Sequence, residues 1–362
     1  MKYVPTLRYR NVERSALKEF NLSLNSSSEK PSLSNEILPL LEIVKEKPHS
    51  NMKGNFKSSY LRELRQFDIP FMLDFPLYLP LTEDTKDNVK AFLKPLQERD
   101  PLITAKFLGL KDIQNMIPVV SYPPSKYNAD NIIYKTHILR KEFNRLGFRV
   151  YFNHYTDFIN IIKKTKKIMK NNDILIVDLS YSIPISEITS KESKLIKEVK
   201  KDKEIKTVIL KSSIPTGITN SSFDKFEVIQ EANNQLLVKY KNKQFNFDAI
   251  GDYVGVKKTN LTKYPPYLPE SPGFIFYYYP ENIYIGYGHQ EKSWGQLEDY
   301  ILPNLIGSVY WNNYGENHQQ GCPGCQMILD IKKNGKGKSP GKWKQISIMH
   351  YLYTINENIN EL

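Results

Sequence analysis

The sequence predicts an α/β fold, a (β/α)8 TIM-like barrel followed by an aromatic-rich C-terminal extension, and three observations carry that prediction. Eight short apolar runs recur along the chain, Tyr3–Arg8, Leu38–Glu42, Pro70–Asp74, Met116–Ser121, Phe148–Asn153, Asp173–Asp178, Lys206–Lys211 and Phe247–Asp252, and each ends in a polar or charged residue. Their starts lie between 25 residues (148 to 173) and 46 residues (70 to 116) apart, which leaves room for a loop and a helix in most repeats. Amphipathic stretches fill most of those intervals. In such a barrel the C-terminal ends of the strands and the loops after them form the functional face, so the terminal residues of the runs are the first candidates for chemistry.

Taken in order, the first run leads into Asn11–Phe20, where Val12, Leu17 and Phe20 make a weak helical stripe, and then into a polar loop, Ser23–Ser34. The second is followed by the polar segment His49–Asn55 and a short helix at Tyr60–Phe67. The third repeat holds two helical stretches, Asp84–Leu96 and Asp100–Leu110, which accounts for its length. In the fourth, Asp130–Leu146 presents Ile132, Ile133, His137, Ile138 and Phe143 as its apolar face, with Gly147 as a C-cap. Tyr155–Lys170 is a basic amphipathic helix whose lysines read as a solvated outer face. Ser186–Val199 follows, with Ser186 as N-cap and Ile188, Leu195, Ile196 and Val199 apolar. This assigns residues 1–262 to the barrel and 263–362 to the extension packed on it.

The extension differs in character. Five prolines between Pro265 and Pro280 surround the aromatic run Phe274–Tyr279, and all three tryptophans, Trp294, Trp311 and Trp343, lie within it. An aromatic load of that size predicts packing against the barrel.

The chain has 362 residues, of which 40% are hydrophobic, with no apolar stretch near the ~20 residues that cross a bilayer and no apolar leader after MKYVPTLRYR. The expectation is a cytosolic protein without membrane contact. Fifty-one Lys and Arg against 39 Asp and Glu give a net charge of +12, which suits nucleic acid or an acidic partner, although the excess is mostly lysine rather than arginine.

Four carboxylates, Glu42, Asp74, Asp178 and Asp252, end their runs in LLEIV, FMLDF, IVDLS and IGDYV and are expected to converge on one mouth. There they would act as general acid or base, or hold Mg²⁺ through oxygen ligands. The competing reading is a neutralised mouth in which they pair with Arg8, Arg10, Arg149 or Lys211. Phosphate-binding candidates are Arg8, Arg10, Lys211, Ser212, Ser213, Gly217 and Tyr253, since loops after strands seven and eight of such barrels often hold an anion.

Cys322 and Cys325, in CPGC, are the only cysteines. They read as half of a zinc site completed by His318 and His350, as a redox dithiol, or as a tight turn. A thioredoxin-like role is disfavoured because the motif does not open a helix after a strand. The segment Lys332–Lys344, with six lysines and Trp343, reads either as an exposed loop or as a backbone-tracking segment with Trp343 stacking on a base. Neither a P-loop nor GxSxG or HExxH is present.

The opening KYVPTLRYRNVERSALKEF, then ILPLLEIV, GDYVG, and a late GCPGC followed by GKWKQISIMHYL resemble the uncharacterised "beta protein" family of phage and bacterial genomes. The resemblance spans most of the chain and rests at Pro5, Glu42, Gly251, Asp252, Cys322, Cys325, Trp343 and His350. It implies a single barrel with a C-terminal elaboration, acting in phage defence or with mobile elements, and no established activity. This chain reads MHYL where the family pattern has a doubled histidine, so no role needing two adjacent imidazoles carries over. Two readings of function follow. In one, the mouth binds or processes a phosphate-bearing ligand, a nucleotide or nucleic-acid end. In the other, the barrel is a non-catalytic recognition subunit for a phage protein, a nuclease partner encoded nearby or nucleic acid.

Overall fold

The computed structural model describes residues 1–22, 30–46, 56–152, 155–179, 190–218, 222–258, 261–263, 272–291 and 293–362. Eight strands close a barrel: β1 (Tyr3–Arg8), β2 (Leu40–Glu42), β3 (Phe71–Asp74), β4 (Met116–Val120), β5 (Gly147–Tyr151), β6 (Ile174–Asp178), β7 (Lys206–Leu210) and, after a two-residue strand β8 (Glu227–Val228) outside the ring, β9 (Ala249–Asp252). Every neighbouring pair is parallel, and β9 pairs with β1 through Tyr3 and Ile250, Val4 and Gly251, and Pro5 and Asp252. All eight strands fall on the eight apolar runs.

Helices α1 (Asn11–Leu17), α2 (Phe56–Leu64), α3 (Asp87–Glu98), α4 (Asp100–Leu108), α5 (Ala129–Leu139), α6 (Tyr155–Ile168), α7 (Ser190–Lys200) and α8 (Gln235–Lys241) lie between the strands. The stripe on α5 differs from the expected one. Ile132, Lys135, Thr136 and Leu139 are buried, while Ile133 is 46% exposed. Lys135 takes a core position because its ammonium reaches Asp100 and the Ser121 carbonyl, both at 3.0 Å. Gly147 is no helix cap; it starts β5, against the Val119 side chain. Ser186, most of the Ser23–Ser34 loop and His49–Asn55 fall outside the described residues.

Strand alternation divides the core in two. Inside the ring, Val4, Leu40, Met72, Val119, Ile174, Ile176, Val208, Leu210 and Ala249 form one apolar cluster. Outside it, Tyr3, Leu41, Leu73, Phe148, Leu175 and Ile250 join the far larger cluster beneath the helices.

The C-terminal part continues with β10 (Gly273–Tyr278) and β11 (Ile283–Gly288), an antiparallel pair to which β8 adds, so the small sheet is knitted into the barrel by a strand from the β7–β9 connection. Five helices end the chain: α9 (Leu302–Ile306), α10 (Val309–Asn312), α11 (Gly315–Gly321), α12 (Pro323–Asn334) and α13 (Pro340–Glu357). The last packs on α1, α12 and β10. It stands beside β9 and β1, where the eighth outer helix of such a barrel belongs. Eleven of its residues are buried, Trp343 among them and every residue from Ile346 to Ile355, so the helix is covered on all sides over that stretch. Gly255, at φ +68°, turns the chain after β9 with the Tyr351 ring under 3 Å from where a Cβ would stand. No described helix is long and apolar enough to cross a membrane.

Candidate functional site

Three of the four run-ending carboxylates meet at the top of the ring, and they meet on Arg149. Arg149 is the one charge in mid-strand of β5, with its side chain inside the barrel. Its Nη1 donates to Glu42 Oε1 at 2.8 Å and Asp74 Oδ2 at 2.7 Å; its Nε and Nη2 donate to Asp178 Oδ2 at 3.0 and 2.7 Å. Arg8 lies 3.5 Å from Glu42 and Lys258 3.5 Å from Asp178, so three cations face three carboxylates. Glu42 and Asp74 are fully buried, as is Arg149. Tyr78, from the loop after β3, donates to both Glu42 oxygens at 2.9 and 3.0 Å, and Tyr253 accepts from Arg149 at 3.0 Å. The Lys258 ammonium sits 3.9 Å from the centre of the Tyr78 ring, closing the layer from above.

The electrostatics follow from three anions sharing one guanidinium in a dry site. Burial opposes the Glu42 charge, but Arg149, Arg8 and Lys258 outweigh it and hold the carboxyl below its usual range. Asp74 is pushed up to about 6, by burial first, with Glu42 adding to it and Arg149 only partly opposing. Burial lowers Lys258 to about 8 despite Asp178. This is a self-neutralising ionic plug.

Asp252 is not part of it. On β9 the inward positions are Ala249 and Gly251, the latter against Val4 and the Leu210 side chain, so Asp252 points outward. There it accepts from Tyr3 at 2.6 Å, from the Val254 amide at 2.8 Å and from Tyr351 of α13. The expected convergence of four carboxylates is therefore corrected to three, because β9 presents the opposite phase of its alternation. Burial raises the Asp252 carboxyl against those three donors.

The phosphate-binding candidates also separate. Arg8, Arg10 and Tyr253 line a small cleft, enclosing room for about one water-sized group, that opens to solvent on the rim between β1 and the loop after β9, together with Thr6, Glu13, Lys257 and Lys344. Arg10 pairs with Glu13, and Lys344 reaches the same Glu13 oxygen at 2.9 Å. The second oxygen of Glu13 and the hydroxyl of Thr6, which is 1% exposed, are buried without a hydrogen-bond partner. Lys211 instead faces Asp178, Ser212 bonds the Ile214 carbonyl at 3.0 Å, Ser213 bonds Asn234 at 3.2 Å, and Gly217 is exposed. The polar groups after β7 are thus taken up within the fold.

Further along the chain, His318, Cys322, Cys325 and His350 gather at one point, all four buried. The CPGC motif does open a helix, α12, with Cys322 as its N-cap, but it follows helix α11 rather than a strand. Hydrogen bonds from Cys325, His318 and His350 outweigh burial and bring the Cys322 thiol well below its ordinary range, while burial and Cys322 raise Cys325. Trp343 does not stack on any ligand. It is 1% exposed, donates to the Gly337 carbonyl at 2.7 Å and packs on Phe274, and Lys332–Lys344 is mostly the end of α12 and the start of α13.

Several site residues escaped the sequence reading. Glu13 and Lys344 are too far apart in sequence for any local pattern to join them, and Tyr78 lies in an unremarked loop. Lys257 and Lys258 did leave a signal, a charged pair just after GDYVG.

A comparison with family profiles matches residues 3–356 to the family described as Beta protein, and the chain belongs to that family. A search of curated proteins finds no match.

Proposed function

We propose that this Beta protein family member is a recognition barrel that binds a phosphate-bearing ligand, a nucleotide or a nucleic-acid end, in the rim cleft between β1 and the loop after β9. The observation that supports the reading is the cleft's lining: Arg10, Lys257 and Lys344 against Glu13 as its single carboxylate, with Arg8, which also serves Glu42, behind them and the Thr6 hydroxyl buried without a hydrogen-bond partner. A cation excess beside a ready hydroxyl suits a phosphate's oxygens. The enclosed part of the cleft has room for about one water-sized group, so it would take at most a phosphate oxygen and the rest of the ligand would lie along the basic surface.

Binding is favoured over chemistry because Glu42, Asp74 and Asp178 are saturated by Arg149 and its neighbours, and Glu13, the one carboxylate lining the cleft, is itself paired with Arg10 and Lys344. A phage-defence or mobile-element setting, as the sequence resemblance implies, would make nucleotides and nucleic-acid ends the natural ligands to try. The test is a titration of 5′-phosphorylated and 5′-hydroxyl oligonucleotides and of mono- to triphosphate nucleotides. Wild type should prefer the phosphorylated forms, and Arg10→Ala with Lys257→Ala should weaken that preference by about tenfold with a shallower salt dependence. Equal affinity for phosphorylated and unphosphorylated forms sinks the proposal, and turnover of any of them returns the mouth to catalysis.

A further inference from the structure

We infer that His318, Cys322, Cys325 and His350 form a closed structural Zn²⁺ site that fastens the last helix to the rest of the fold. The four donor atoms all lie within 4.8 Å of one another. His350 Nδ1 stands 3.7 Å from Cys322 Sγ, 3.6 Å from Cys325 Sγ and 3.5 Å from His318 Nε2. A tetrahedron with Zn–S of ~2.3 Å and Zn–N of ~2.0–2.1 Å has edges of about 3.3–3.8 Å, which the three separations from His350 match.

The outer nitrogens carry the inference further. His318 turns Nε2 to the sulfurs and gives Nδ1 to Glu357 at 2.6 Å; His350 turns Nδ1 inward and gives Nε2 to the Tyr277 carbonyl at 2.9 Å. Each ring thus presents an unprotonated nitrogen to the centre while an acceptor behind it fixes the tautomer, the arrangement that orients metal-bound imidazoles. The Cys325 amide donates to Cys322 Sγ at 3.4 Å, as in a knuckle that holds a thiolate. Gly324 lies so close to α13 that a Cβ would come within 2.8 Å of the His350 nitrogen and the Ile346 oxygen. The tight CPGC turn is therefore pressed against the helix that supplies the fourth ligand.

A redox dithiol explains the cysteines but neither imidazole, and both cysteines are fully buried whereas a working dithiol must be reached. Two thiolates and two imidazoles in a tetrahedron select zinc over the hard cations, and four protein ligands leave no open position for chemistry. On binding, the two thiol protons leave to solvent and the ion's two charges match the two thiolates. The ligands come from α11, the α12 N-terminus and α13. Zinc there ties down the helix that also carries Tyr351 to Asp252 and Lys344 to the rim cleft.

The test is elemental analysis of the full chain purified without chelator, followed by chelation and Co²⁺ reconstitution. One zinc per chain is expected, as is a Co²⁺ form with intense tetrahedral d–d bands and thiolate charge transfer. Cys325→Ser should lose both. Because that variant can fail to fold, Glu357→Gln, which touches no ion, is the second: it should keep the spectrum and bind zinc about 10–100-fold more weakly against a chromophoric chelator. A chain that carries no zinc, gives an octahedral Co²⁺ spectrum, or emerges with Cys322 and Cys325 joined in a disulfide overturns the proposal. So does unchanged zinc affinity in Glu357→Gln.

Discussion

Two buried polar clusters stabilise this molecule, and they are built on opposite logic. At the barrel mouth, Glu42, Asp74 and Asp178 find Arg149, Arg8 and Lys258 within the chain itself, and the charges close among themselves. In the C-terminal part, four donors from three helices point at one another, with their outer nitrogens already satisfied by Glu357 and Tyr277. The first cluster pairs cations with anions and reads as a plug; the second turns four metal-type donors on one point and reads as a site. Burial alone does not distinguish them, since both are dry. What distinguishes them is whether the cluster brings both signs of charge or donor atoms alone.

The largest effect should come from breaking the plug. Arg149→Met leaves three carboxylates without their shared guanidinium and should cost about 3–5 kcal/mol by urea denaturation. Adding Glu42→Gln, Asp74→Asn and Asp178→Asn should restore part of that. If Arg149→Met alone is neutral, the mouth is more open than the plug allows. Stripping the metal comes next: at saturating zinc, removal should cost about 4 kcal/mol in thermal melts, and chelator should do nothing further to Cys322→Ser.

The pH dependence of the plug is a third handle. Asp74 keeps its proton to about 6 in the fold against an ordinary value of 3.8, so its contribution to stability is full below about pH 4 and is lost as pH rises through 6. Between those limits wild type should lose about 3 kcal/mol relative to Asp74→Asn, measured as the difference between their denaturation midpoints across pH. A parallel pair of curves would show that Arg149 holds Asp74 ionised throughout. Smaller still, Tyr351→Phe removes one donor from the buried Asp252 and should cost about 1.5–3 kcal/mol, reporting on the α13 seam rather than on either cluster. Last, Arg10→Ala leaves the buried Glu13 with Lys344 as its remaining cation and should cost about 1–2 kcal/mol by urea denaturation while weakening phosphate binding.

How much of this was legible in the sequence depended on periodicity. The barrel strands stood out because strands buried on both faces are continuous apolar runs, and the repeat spacing ordered them. The same continuity hid which face each residue took. Nothing in IGDYV distinguishes Asp252 from the carboxylates of LLEIV, FMLDF and IVDLS, yet it alone points outward. Arg149 was more legible, since a lone charge in FRVYF has to meet partners inside the ring. The α5 stripe misled because Lys135 reads as polar while its stem packs and its ammonium finds Asp100.

By itself, then, the sequence determined the ring, its order, the family, and which residue types could do chemistry, because strand burial and repeat length are local properties written in every run. Tertiary structure alone decided which of them meet. It turned the acidic mouth into a plug through Arg149, placed α13 as the eighth outer helix from the far end of the chain, and brought His318 and His350 onto CPGC. Those outcomes depend on the phase of strand alternation and on contacts between distant segments, which chain closure settles and no local pattern records.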